Sequence, residues 1–412
     1  MTDLNAPGAA RRRNVVLVAS LLFITVGTGS IYFLVVALKL ISAEFDWPRA
    51  VPSIAYSLQY FGGGVGGILM GYWADRSGMG MPALVGASMI GLGAMATSVV
   101  DSPWQLYVIY GVMMGVFGRS TLFSPLMANI TRWFDHKRSM AAGIVGSGQG
   151  LAGALWPPLF QFCFDNIGWR QTALWYGAFT LATMLPIAYL LRQRPPVPDV
   201  KPKATGGEPA ARERRPAMAP RTLQLSLCVA AIGCCVAMSL PLAHIVSHVS
   251  DLGYDPARGA EILALMLACA TASSFFGVGY LGERFGGLRA IFVFSIGQAL
   301  FLGILAFVDQ LASLYVAAAL FGLGYGGILP CYPIIVRELL PPAEAGRRTG
   351  TVILCAGSGM ALGAWLGGAL FDLTGTYTLA FLLGVMFNVG NLVIIGFLIW
   401  RVPRPAALAT AG

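Results

Sequence analysis

Gly71-Tyr72-Trp73-Ala74-Asp75-Arg76-Ser77-Gly78 and Gly279-Tyr280-Leu281-Gly282-Glu283-Arg284-Phe285-Gly286 are two versions of one phrase. Each closes a long apolar run, sets an acid beside an arginine between glycines, and opens a short charged loop ahead of the next apolar run. Such a repeat marks a duplicated membrane protein. Duplicated halves facing each other across a bilayer are the usual architecture of an alternating-access carrier.

The composition agrees. Of 412 residues, 57% are hydrophobic and only 11% charged, against roughly 25% charged in a soluble globule, and the mean hydropathy is +0.72. Lipid is the solvent such a chain needs. The net charge of +9 does not point to nucleic acid, because the charges sit at the ends of apolar runs and not on one basic face of a soluble domain.

Crossing a hydrocarbon core takes roughly 20 apolar residues. Twelve runs qualify: 15–40, 50–73, 82–99, 104–130, 140–164, 171–191, 222–249, 261–282, 288–308, 312–339, 349–371 and 377–400. The first follows Arg11, Arg12 and Arg13 as a signal peptide would, but it is too long for a cleavable segment and reads as the first span. Sorting Lys and Arg onto alternate sides puts Arg11 to Arg13, Arg76, Arg132, Lys137, Arg138, Arg284, Arg337, Arg347 and Arg348 together. Only Lys39, Arg49, Arg170 and Arg258 fall opposite, alongside acids such as Asp251 and Asp309. The positive-inside rule then makes both termini and both repeat loops cytoplasmic, in a multi-pass protein of the cell inner (plasma) membrane.

The one long hydrophilic stretch, 193–220, is rich in proline and basic residues and cannot bury a core, so it reads as a cytoplasmic linker. The expected organisation is a tail over 1–13, six spans over 14–192, the linker, six spans over 221–401 and a tail over 402–412. The seven cysteines lie in apolar runs without ligand spacing, so neither a metal site nor a disulfide framework is implied.

Over nearly its full length the chain resembles the major facilitator superfamily, with the Gly71–Gly78 loop and its copy at Gly279–Gly286 similar to that family's signature loops. Glu44-Phe45-Asp46-Trp47-Pro48-Arg49 with Ser53, and Arg132-Trp133-Phe134-Asp135-His136-Lys137-Arg138 running on to Gly143, resemble the monocarboxylate and oxalate/formate antiporter-like families. The resemblance implies an all-α fold of twelve transmembrane helices in two pseudo-symmetric six-helix bundles.

Charge chemistry suggests a latch at the signature loops. Asp75 can pair with Arg132 or Arg138, or face the helix that follows Arg347 and Arg348, and Glu283 can pair with Arg138 or Arg337. Together with Arg76 and Arg284 these form a candidate cytoplasmic gate; the plainer reading is that they anchor helix ends and set topology.

Arg119 stands near the middle of the fourth run, where an arginine costs about 2.5–3.5 kcal/mol or more unless water, a partner or a ligand receives it. With no Asp or Glu deep in another run, a hydrated cavity and an anionic substrate are the natural compensation, and a guanidinium fork suits a carboxylate. Backbone carbonyls and amide neighbours are the alternative. The family resemblance implies that the first, fourth, seventh and tenth helices line a central cavity. The binding candidates are accordingly Tyr32, Arg119, Tyr325 and Tyr332, with Gln149 and Ser274 beside them and Tyr56, Gln59, Tyr60 and Ser273 as further hydrogen-bonding groups.

His244 is the candidate proton-coupling group, since its ordinary pKa lies near physiological pH; a structural or gating role is the alternative. Monocarboxylate transporters carry an arginine in the eighth helix, but Ala270 to Gly277 here is uncharged, so either Arg119 has taken over the anion role or the substrate differs. No nucleophile elbow, phosphate-binding loop or metal-ligand cluster appears, so no enzyme, cofactor or ATP-driven pump is expected. The reading is a monomeric secondary active carrier, symporter or antiporter, of a small organic anion, with protons as candidate coupling ion and no nucleic-acid partner. A multidrug exporter is the rival carrier and a membrane receptor the rival of another class.

Overall fold

The computed structural model describes residues 7–134, 138–193, 218–277, 281, 285–340 and 344–401. The described residues form helices joined by short turns, with no strand. A helix satisfies its own backbone, which a chain in lipid must do.

Helix α1 spans Pro7–Phe45, so the basic triplet Arg11 to Arg13 lies within it and the tail expected over 1–13 is helical from Pro7 onward. It ends where Asp46 adopts φ 54°, a left-handed conformation that aspartate tolerates. The Trp47 N–H donates back to the Ser42 carbonyl at 3.0 Å, and the Trp47 ring stacks on Phe45 at 4.3 Å. Helix α2, Ala50–Ser77, stops at Gly78 with φ 85°, and α3 follows over Gly80–Thr97.

The fourth expected run is three kinds of helix in series. α4, Pro103–Val108, passes into a π-helical segment, Ile109–Gly118, then a 3₁₀ turn, Arg119–Thr121, before α5 resumes over Ser124–Trp133. α2 lies backbone to backbone against the π segment: a Cβ on Gly66 would stand 2.1 Å from the Val116 carbonyl oxygen. α6, Arg138–Leu190, is divided at Gly168 with φ 77°.

Beyond the linker come α7 (Pro220–Asp251) and α8 (Pro256–Ala272), the latter continuing as a π turn over Ser273–Gly277. Then follow α9 (Gly287–Leu305), α10 (Leu311–Tyr325), α11 (Ile328–Leu339), α12 (Ala345–Thr374) and α13 (Thr378–Arg401). Apart from its ends, the linker falls outside the described residues.

Among the described residues, nine helices are long and apolar enough to cross a membrane, against twelve expected runs. Gly143–Leu190 counts once although Gly168 divides it. α2 is diluted by glycine, tyrosine and serine, and α8 has 17 residues before its backbone widens.

Helices α1 to α6 pack mainly on one another, as do α7 to α13, and the two bundles meet where α2 lies on α12, α6 on α8 and α1 on α7. The first bundle is centred on Phe33, Trp156, Phe160, Phe164 and Tyr176, with edge-to-face and stacked rings. Trp156 and Tyr176 donate to the Thr25 and Val26 carbonyls, each at 2.8 Å, which satisfies their polar ends. In the second, the Asn388 side chain donates to the Ser295 carbonyl at 2.8 Å and Gln298 to the Cys234 carbonyl at 3.0 Å.

Candidate functional site

Arg119 emerges where the π segment gives way to the 3₁₀ turn and is half-buried. Its guanidinium carbon lies 4.0 Å from the centre of the Tyr60 ring. The stem of the side chain rests on α2 at Gly63, where a Cβ would come within 2.8 Å of Arg119 Cδ, so any side chain there would dislodge it. Tyr32 and Tyr56 lie within electrostatic reach of the guanidinium, and Tyr325 within reach of Tyr32 and Tyr60. The Tyr56 and Tyr60 rings are 4.9 Å apart, and the amide of Gln59 donates to Ser30 at 2.9 Å, tying α2 to α1 beside them.

The result is one cation among four phenols drawn from α1, α2 and α10. No carboxylate among the described residues pairs with it. A guanidinium that gives its face to a ring keeps its in-plane N–H edges, and two parallel N–H donors match the two oxygens of a carboxylate.

The bundles are tied together at the opposite end of α2 from Asp75. The Arg49 guanidinium forms a two-pronged pair with Asp251, one prong Nη2 to Oδ1 at 2.7 Å, and donates to the Tyr377 hydroxyl at 2.8 Å. Lys39 Nζ reaches the same Asp251 carboxylate at 2.8 Å, and Arg49 lies 3.7 Å over the Phe371 ring. The Asp372 carboxylate accepts the backbone N–H groups of Arg49 and Ala50, both at 2.8 Å, capping α2 from the other bundle. Burial works against the Arg49 charge, but Asp251 and Tyr377 hold its pKa above the ordinary arginine value. The Arg49 and Asp251 side chains are only 12% and 23% exposed.

At the Asp75 end the charges of the described residues pair inside their own bundles. Asp75 meets Arg132 at 2.6 Å, with 62% and 51% of those side chains exposed, and Arg76 lies 4.1 Å over the Tyr72 ring. Arg347 and Arg348 both turn to Glu344, at 3.5 and 2.6 Å. Glu283, Arg284 and the Arg138 side chain lie outside the described residues.

A family model, the Major Facilitator Superfamily, matches residues 18–308 and 225–411. The chain belongs to that superfamily. It is similar to monocarboxylate transporter 13 of Rattus norvegicus, 27% identical over 351 residues that cover 84% of this chain and 78% of the relative. Monocarboxylate transporter 11 of Homo sapiens is 27% identical over 377 residues, covering 88% and 75%. The fold matches a solved bacterial homologue of the lysosomal transporter Spinster with a TM-score of 0.73 at 17% identity, covering 95% of this chain and 99% of that one. A transmembrane transporter of small molecules, close to the monocarboxylate families, is what these likenesses establish; it is not an enzyme.

Within this superfamily fold, Arg119 and Tyr325 occupy matching places. Gly118 precedes the one and Gly324 the other, and each marks a break in its span, since α10 ends at Tyr325 and α11 begins at Ile328. Ser274 does not present its hydroxyl proton to the cage as expected: it donates to the Gly326 carbonyl, while Ser273 donates to that of Leu323 at 2.7 Å. The two serines instead hold the break that presents Tyr325. Tyr332 departs too. It is fully buried with its hydroxyl 3.3 Å from Cys234 Sγ, because the break changes the register and the seven-residue spacing from Tyr325 no longer keeps one face.

Gln149 is half-buried on α6, next to Gly150, whose face meets Thr271 of α8. His244 is fully buried in the second bundle, with Nε2 2.8 Å from the Ala364 carbonyl and its ring 5.1 Å from that of Tyr377. It therefore belongs with the Arg49 cluster, not with Arg119. That cluster was not singled out from the sequence, although Lys39 and Arg49 are two of the four basic residues on their side.

Proposed function

We propose that this protein is a secondary active transporter of small organic anions, most simply monocarboxylates, with Arg119 as the carboxylate anchor. It works by rocker-switch alternating access between two six-helix halves of a twelve-span fold. The observation that carries the reading is the half-buried guanidinium that has tyrosines for neighbours and no carboxylate among the described residues. The curated relatives named as monocarboxylate transporters support the substrate class.

The basic loops put the Asp75 end in the cytoplasm and the Arg49 end outside the inner membrane. Among the described residues, charges pair across the bundles at the Arg49 end and within each bundle at the Asp75 end, which suits a carrier closed to the exterior. In that cycle Arg49, Asp251, Asp372 and Tyr377 are the external latch, and Asp75, Arg132 and the arginines around Arg347 regroup when the cytoplasmic side closes. His244 is the coupling group that the opening of this latch would uncover, because Tyr377 lies against both its ring and Arg49.

The test is uptake of short carboxylates into proteoliposomes. Arg119→Ala should abolish uptake with folded protein still in the membrane, and Arg119→Lys should be impaired by the loss of the bidentate fork. Full uptake by Arg119→Ala, or thermal stabilisation of the wild type by cationic drugs and not by acids, would overturn the reading.

A further inference from the structure

A second polar site lies away from the Arg119 cage. Where α2, α5 and the end of α6 converge on the start of α3, a cleft of about 130 Å³ is lined by Asp75, Met79, Asn129, Arg132, Arg192 and Gln193, among others. We infer that this cleft binds a phosphate group carrying a single negative charge, as in the headgroup of an anionic phospholipid.

Its donors converge without being used up inside the protein. Asn129 is 7% exposed, yet its amide Nδ2 finds no acceptor, and a buried unsatisfied donor is costly to maintain without a ligand. Arg192 has no carboxylate partner among the described residues. Its stem lies on the first turn of α3, where a Cβ on Gly80 would be 2.2 Å from Arg192 Cγ, so the missing side chain lets the arginine cross that helix end. α3 starts beside the cleft, after Met79, with no side-chain cap.

Charge and depth select the ligand. Arg132 is shared with Asp75 at 2.6 Å, so two arginines and one aspartate leave about one positive charge for a phosphodiester to neutralise. Tyr72 and Trp73 on α2 and Tyr189 on α6 are all outward-facing beside the cleft, at 58%, 36% and 65% exposure. Such an aromatic belt marks the headgroup level of a bilayer.

The test measures retention of phosphatidylglycerol by purified protein in native mass spectrometry, with phosphatidylcholine and inorganic phosphate as separate arms. Wild type should retain phosphatidylglycerol over phosphatidylcholine. Arg192→Gln and Asn129→Leu should each bind it about tenfold more weakly, as loss of one charge-assisted or buried contact implies. Arg401→Gln, an exposed arginine on α13, should match wild type. Arg192 is itself exposed, so its variant should fold, and carboxylate uptake in the same preparation verifies this independently of the lipid result. Binding of inorganic phosphate that the same two variants weaken supports the site and makes free phosphate its source. Equal phosphatidylglycerol retention by both variants and wild type, or wild-type retention of neither phosphatidylglycerol nor phosphate, overturns the proposal.

Discussion

Neutralising Asp251 should open the exterior side of the carrier. In the structure its carboxylate receives two N–H prongs from Arg49 and the Lys39 ammonium at 2.8 Å, all across the two bundles. Removing one partner of a buried pair costs about 3–5 kcal/mol and an exposed pair contributes about 1 or less. With side chains 12% and 23% exposed, Asp251→Asn falls between these limits. About 2 kcal/mol lost from the externally closed state shifts its balance with the open state roughly 30-fold. Ser53, fully buried under Arg49 and donating to its carbonyl at 2.7 Å, is the place to read this. With the native cysteines replaced, Ser53→Cys should react with a membrane-impermeant maleimide about 30-fold faster when combined with Asp251→Asn, within the limits of that estimate. An unchanged labelling rate would refute the latch.

Tyr60→Leu removes the ring under Arg119 at 4.0 Å; losing about 1 kcal/mol of cation–π contact should raise KM several-fold at constant expression. Gly66→Ala places a Cβ 2.1 Å from the Val116 carbonyl and should lower the thermal unfolding midpoint by an amount worth about 1–3 kcal/mol, whereas Gly67→Ala, with open space around it, should leave it unchanged. His244→Gln should remove stimulation of uptake by an inward proton gradient and spare exchange of labelled substrate; equal loss of both would discard His244 as the coupling group.

Much of this arrangement is legible in the chain. Apolar runs and charge asymmetry report the solvent directly, because the bilayer penalises each polar residue on its own. Arg119 stands out for the same reason, and Tyr32 lies within its electrostatic reach, with Tyr325 within reach of Tyr32. The resemblance groups Tyr332 with Tyr325 because both lie on the tenth run, but the chain breaks between Tyr325 and Ile328 and Tyr332 turns its hydroxyl to Cys234 Sγ. Arg49 was read only for sidedness, since its partners lie 202 and 328 positions away and nothing local specifies them. The widened turns of the fourth span depend on how closely α2 approaches, which hydropathy does not register.

The widened stretch from Ile109 to Gly118 has an evolutionary consequence. One additional residue accommodated in a helix turns everything downstream by about 100° around the axis. Deleting a single position upstream of Gly118 would therefore swing the guanidinium off the phenols and toward a neighbouring face, while shortening the span by only about 1.5 Å. Equivalences drawn between this carrier and its cousins along that span should be anchored at Gly118 and Arg119, with any gap placed before them. Otherwise the residue proposed to anchor the substrate is matched to the wrong partner.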